Sequence, residues 1–114
     1  MTTIYHMAAA ADWAAALASG HYAGSGDDLR DRFIHFSTAT QVKESAAKHR
    51  RGRADLKLLF VPAGELGPAL KWEAARGGQL FPHLYGTLPV VTVTRAVDLP
   101  LGPDGAHVFP ELEP

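Results

Sequence analysis

Cysteine is missing altogether from the 114 residues. That excludes disulfide staples and thiolate metal ligands, and it fits a reducing compartment, so a cytoplasmic protein is expected. Charge of one sign is lacking too: 11 Lys and Arg stand against 12 Asp and Glu, for a net charge of -1. Such a balance gives no general attraction to nucleic acid or to an acidic membrane, and leaves only a local basic patch open. No apolar run approaches the length of a membrane span, and no leader-like segment marks the N-terminus, so no membrane partner is expected. No repeat and no internal linker interrupts the chain. The remainder is 46% hydrophobic and 20% charged, the make-up of an ordinary globular protein with one modest core.

What the chain does have is histidine, six in all, three of them in apolar frames: Ile4-Tyr5-His6-Met7, Phe33-Ile34-His35-Phe36 and Phe81-Pro82-His83-Leu84-Tyr85. The middle one organises the rest. Phe33, Ile34 and Phe36 favour a half-buried strand, and Thr38 followed by Gln41 has the spacing of a capping box. His35 is therefore expected near a strand end, with Ser37 and Thr38 at a strand-to-helix turn whose amides favour an anionic group.

Around it the pattern predicts a strand over Thr2–Met7 and a helix over Ala8–Ser19, with Asp12 as N-cap and Gly20 as stop. Trp13 and Leu17, four apart, are expected on one buried helix face, Trp13 as a core anchor first and a ligand platform second. His21-Tyr22 reads as a short extended piece, and Gly24-Ser25-Gly26-Asp27-Asp28 as a surface loop, its aspartates ill suited to phosphate. A helix is expected over Ala39–His49, with Val42, Ala46 and His49 inward and a basic, solvated end at Lys48–Arg53; an anion-binding patch is the sharper alternative. Leu56–Val61 and Ala69–Ala74 read as strands, Arg76–Gln79 as a turn, and Leu80–Pro89 as an ordered irregular loop. Pro89–Asp98 reads as a strand with Val91, Val93 and Ala96 or Val97 facing in. Residues 1–99 form the expected domain, and residues 100–114 a proline- and glycine-rich tail packed on it or trailing from it. The order predicts an α+β fold: a mixed or antiparallel curved sheet with two helices.

Metal chemistry finds little support. His6, His35 and His83 are far apart in sequence, and no pair of histidines has helical ligand spacing. Ser37 lacks the glycine frame of a nucleophile elbow. Each histidine alone is more often structural than catalytic, but three beside aromatics point to a shared pocket.

Taken in order, Ile4-Tyr5-His6, the Trp13 helix ending at Gly20, Phe33-Ile34-His35-Phe36-Ser37-Thr38 with Gln41, Lys71-Trp72-Glu73, and Phe81-Pro82-His83-Leu84-Tyr85-Gly86 resemble the bacterial family filed as domain of unknown function 952. The likeness runs to about Leu99, and the family pattern leads one to expect glycine where this chain has Arg32. The resemblance implies a remote likeness to the ADP-ribosyltransferase fold and its split sheet. On that likeness His6 would bond a ribose, His35 would flank the base with Ser37 near its amide, and Glu73 or His83 would complete the site. Thr38, Tyr85 and Trp13 would add ligand contacts. The implied function is an NAD-linked or phospho-ribose-handling transferase or glycohydrolase, with NAD as substrate and no required cofactor. The alternative is a non-catalytic module on the same fold that binds a nucleotide, an RNA end or a protein tail.

Overall fold

The computed structural model describes residues 2–114, the side chain of Arg76 excepted. Strand β1 (Thr3–Ala9) carries five successive buried residues, Ile4 to Ala8. A strand buried on both faces must be central, and β1 is flanked by β4 and β5. Its alternation feeds two cores. Ile4 and Ala8 join one, while Tyr5 and Met7 join the other. Helix α1 (Ala10–Ser19) follows, ended by Gly20 in the left-handed region at φ 89°, where glycine meets no steric penalty. Its buried residues are Trp13 and Ala16, and Leu17 is 57% exposed. The expected Trp13–Leu17 face is thus a Trp13–Ala16 face, since the small alanine lets α1 lie closer to the sheet. Asp12 falls within the first turn, and Ala9 takes the N-cap position.

After β2 (His21–Tyr22), the segment expected as a surface loop turns inward and becomes α2 (Asp27–Asp31). Gly24, Ser25 and Asp28 are all buried. Gly24 has φ 108°, and a Cβ there would lie 2.5 Å from that of Asp28; glycine is what lets the loop fold over the aspartate.

The central block then splits. Strand β3 (Ile34–His35) belongs to one sheet and β4 (Ser37–Thr38) to another, with Phe36 as the crossing point, its N–H donating to the Pro82 carbonyl at 2.9 Å. Helix α3 (Val42–His49) buries Val42 and Ala46, while His49 is exposed. The capping box is half made: the Thr38 N–H donates to Gln41 Oε1 at 3.0 Å, but the Thr38 hydroxyl pairs with that of Thr40.

Strand β5 (Leu56–Pro62) pairs with β1 along its whole length. Strands β6 (Leu70–Ala74) and β7 (Leu80–Leu84) form a hairpin through a short 3-10 turn. The first half of the segment expected as an irregular loop, Leu80–Leu84, is therefore a strand, and residues 85–87 remain irregular. Pro82 is tolerated because its carbonyl, and hence its nitrogen, points to the crossing at Phe36, where the β3 ladder ends. Strand β8 (Leu88–Pro89), a 3-10 turn at Val90–Thr92 and β9 (Arg95–Asp98) replace the single long strand expected. Val91 is 92% exposed, because the turn rotates it out, whereas Val93 and Val97 pack against the cores.

Three sheets result, in strand orders β4-β1-β5-β9, β3-β7-β6 and β2-β8, and every pairing among the described residues is antiparallel. The fold is α+β with three helices, one more than expected. Among the described residues no helix is long and apolar enough to cross a membrane. Residues beyond Pro100 lie on the body: Tyr5 Oη accepts from the Glu113 N–H at 2.6 Å and donates to its carbonyl at 2.7 Å, while Phe109 and Leu112 cover the second core.

Candidate active site

A cavity of about 360 Å³ opens where the sheets divide, and His6, His35 and His83 all line it. Strand pairing explains the convergence. His35 and His83 are register partners on β3 and β7, so their side chains share a face, with ring centroids 5.7 Å apart. His6, on β1, forms the floor.

His6 is 2% exposed. Its Nδ1 lies 2.6 Å from the His35 carbonyl, and Nε2 2.7 Å from the Tyr22 hydroxyl. A carbonyl only accepts, so Nδ1 carries the proton. Burial holds the imidazole below its ordinary pKa, against the pull of Asp28, so the ring is neutral and Nε2 accepts from Tyr22. The Tyr22 oxygen then accepts from Ser25 at 2.6 Å, and Ser25 Oγ accepts the Ala9 N–H at 3.2 Å. Burial drives the Tyr22 phenol well above its usual range, so it stays a donor. The result is a chain of bonds with one direction, from Ala9 to His35.

Asp28 is the centre of the buried half. Its side chain is fully enclosed. Oδ1 accepts the His35 N–H at 2.9 Å and His35 Nδ1–H at 2.7 Å; Oδ2 accepts the Ser25 N–H at 2.8 Å and lies 3.3 Å from His6 Nε2. Burial alone would raise this carboxyl, but the bond from His35 and the two amides outweigh it and hold it low. His35 Nε2 lies 3.0 Å from Asp31. Burial would lower the His35 pKa, yet Asp28 and Asp31 together raise it. With a carboxylate on each nitrogen, His35 is an imidazolium with both protons committed.

His83 is different. Its Nδ1 donates to Glu73 Oε1 at 2.8 Å, and the Tyr85 hydroxyl donates to the same oxygen at 2.8 Å. These two bonds keep the Glu73 carboxyl below its ordinary value, and the shared oxygen raises the Tyr85 phenol. Nε2 of His83 has no hydrogen-bond partner among the described residues and is not sealed from solvent. Phe33 braces the group, its ring 4.2 Å from His83, 4.5 Å from His35 and 5.2 Å from Tyr85.

The remaining expected residues divide. Ser37 lines the cavity, its hydroxyl 3.0 Å from that of Ser45. Glu73 and Tyr85 stand behind His83 rather than on the wall. Thr38 is off the wall, because the end of α3 that reaches the cavity is the C-terminal one, through His49 and Arg50. Trp13 is 6% exposed in the first core, edge-on to Tyr22 at 6.1 Å, so it is a core anchor and offers no ligand platform. The basic run thus supplies cavity residues, with Arg50 Nη1 3.3 Å from Asp27.

From the sequence, no site role falls to Asp28, Asp31 or Phe33, and Arg50 has one only as part of the basic run. One signal existed for the first. Ser25 and Asp28 have capping-box spacing, and the carboxylate does reach back to the Ser25 amide, while the Ser25 hydroxyl is diverted to Tyr22. No group of three or more His, Asp or Glu side chains among the described residues could hold a metal ion.

The family described as "Protein of unknown function (DUF952)" matches residues 7–96. The chain is also similar to solved structures of protein CC0527 from Caulobacter crescentus. The crystal structure is 52% identical, with 94% of each chain covered and a TM-score of 0.90. The solution NMR structure is 54% identical over 93% of this chain and 91% of that one, at a TM-score of 0.82. No curated protein matches.

Proposed function

The chain belongs to the DUF952 family of proteins of unknown function, and we propose that this member binds a phosphoribosyl-bearing nucleotide in the histidine cavity, NAD first among candidates, and moves a proton there through His83. The observation that carries the reading is the open nitrogen of His83. His6 and His35 are bonded at both nitrogens, whereas His83 keeps Nε2 without a partner among the described residues while its other nitrogen is fixed by Glu73. A histidine oriented by a carboxylate is the usual form of a general base. A cavity of about 360 Å³ that combines aromatic rings (Phe36, Phe81) with two arginines suits a heteroaromatic base. Arg30 and Arg50 are paired with Asp27 and Asp31 on the same wall, so a phosphate would have to draw them from those carboxylates.

In such a reaction a water or acceptor hydroxyl gives its proton to His83 Nε2 as its oxygen bonds the anomeric carbon. The glycosidic C–N bond breaks, and the leaving base takes the electron pair. Glu73 stabilises the imidazolium that forms. His35, with both protons committed, is a positioning residue and fixed charge rather than a base. The remote likeness to the ADP-ribosyltransferase fold belongs to this proposal, supported by the divided sheet and by His6 on β1. It needs one amendment: His6, bonded at both nitrogens, supports the floor and does not reach out to a ribose.

The test is NMR titration of the histidine side chains with NAD and with ADP-ribose, followed by an assay for released nicotinamide. Saturable shifts at His35 and His83, with turnover lost in His83→Gln, support the enzyme. Binding without release supports a non-catalytic module, a reading favoured by the closed cage around His35. No shift at millimolar ligand removes NAD.

A further inference from the structure

The sheet β3-β7-β6 ends at β6, whose outer edge pairs with no strand among the described residues. Lys71, Trp72 and Ala74 are exposed along it, Trp72 by 42%. Natural edges of this kind are shortened, bulged, capped by proline or guarded by charge, lysine above all. This one has neither bulge nor proline; it carries Lys71 and Glu73 and presents a tryptophan between them.

The direction of its free backbone groups follows from β7. Pro82 turns its carbonyl towards Phe36, so the pair Trp72↔Pro82 makes no ladder bonds to β6, and the N–H and C=O of Trp72 point outward. Leu70 and Ala74, two positions either side, point the same way.

We propose that β6 pairs with the β6 of a second copy, antiparallel and centred on Trp72, to form a two-fold dimer. The sequence Leu70-Lys71-Trp72-Glu73-Ala74 is self-complementary in that register. Trp72 lies opposite the partner's Trp72 and exchanges both backbone bonds with it. Lys71 lies opposite the partner's Glu73, and Glu73 opposite the partner's Lys71, giving two reciprocal opposite-charge pairs on one face. An in-register parallel pairing sets lysine against lysine and glutamate against glutamate, and a shifted antiparallel register loses both pairs. Isologous two-fold pairing is also the commonest way a chain meets itself.

The proposal stands apart from the nucleotide reading but touches the same residues. Glu73 orients His83, so the partner's Lys71 would complete the surroundings of that pair.

The test uses the absence of cysteine. In the full chain, Trp72→Cys places two thiols opposite each other, at a Cα separation of about 5.5 Å in a bonded antiparallel pair, within the disulfide range of about 4.4–6.8 Å. Ala74→Cys places them four strand positions apart, about 13 Å, beyond that range. The expected result is covalent dimer from Trp72→Cys under mild oxidation and little from Ala74→Cys. Wild-type sedimentation should rise from the 12.2 kDa chain mass towards twice that with concentration, and Lys71→Glu should stay at chain mass. A wild-type chain monomeric at millimolar concentration overturns the proposal. So does equal cross-linking by both cysteine variants, or a dimer unmoved by Lys71→Glu while its circular dichroism is unchanged.

Discussion

Two histidine–carboxylate groups sit side by side on paired strands and do opposite things. His35 is caged: Asp28 and Asp31 hold both its nitrogens, and Asp28 is itself bonded to two backbone amides and set against His6. His83 is held from one side only, by a carboxylate that Tyr85 shares. The first group ties together α2, β3 and, through His6, β1. The second leaves a nitrogen for something else. One imidazole contributes to the fold and its neighbour to the chemistry, and a one-letter reading of FIHFST and FPHLYG cannot separate them.

The cage is where the contrast breaks hardest. Asp28→Ala leaves the His35 imidazolium and two amides without their common acceptor, and unfolding stability should fall by about 3–5 kcal/mol, measured by urea denaturation. His35→Gln comes next, at about 1–3 kcal/mol, since Asp28 keeps its amides and loses only one donor. This variant also tests the pH signs. The raised pKa of His35 gives stability that is full below the free imidazole value, about 6.5, and is lost as pH rises through the folded value. The lowered pKa of Asp28 gives stability that is full above about 3.9 and is lost as pH falls through the folded value. The lowered pKa of His6 works against His35, weakening the fold as pH drops below about 6.5. Melting temperature followed from neutral to alkaline pH should therefore decline in the wild type and decline less in His35→Gln.

His83→Gln sharpens the contrast from the other side. With one bond to a solvent-facing carboxylate at stake, stability should change by less than about 1 kcal/mol, while nucleotide-dependent NMR shifts or turnover fall away. Equal destabilisation by His35→Gln and His83→Gln would erase the distinction.

The smallest effect concerns Arg32, which caps α2 at φ 67°, the one non-glycine residue among those described with a left-handed backbone. Glycine removes a penalty of about 1–2 kcal/mol and adds about 0.5–1 kcal/mol of entropy cost. Arg32→Gly should stabilise by about 0.5 kcal/mol and leave both histidine groups unchanged. The family likeness suggested glycine at this position, and the backbone shows why: α2 must turn sharply to deliver Asp28 and then β3.

Periodicity and the aromatic frames made β1, α1, β5 and β6 legible, and they pointed to three of the four cavity histidines, missing His49. The rest failed for identifiable reasons. Asp28 was read as a solvated loop residue because its partners, His6 and His35, become neighbours only once β1 and β3 lie side by side. Pro82 argued against a strand because sequence does not tell which side of a strand its missing N–H faces. Leu17 lost its place to Ala16 because helix-to-sheet distance, not hydropathy, selects the residue that packs. Thr38 signalled a nearby helix but not its start: α3 begins at Val42 rather than Ala39, with Gln41 at the N-cap position, and the orientation that brings Arg50 rather than Thr38 to the cavity is a tertiary fact.

The one-way run of bonds from the Ala9 amide through Ser25, Tyr22 and His6 to the His35 carbonyl has a hereditary consequence. Each hydroxyl takes with one lone pair and gives with its only hydrogen, so altering one letter strands the neighbours on both sides. Selection then acts on positions 6, 22 and 25 as one compound character, and relatives should exchange them together or keep them all.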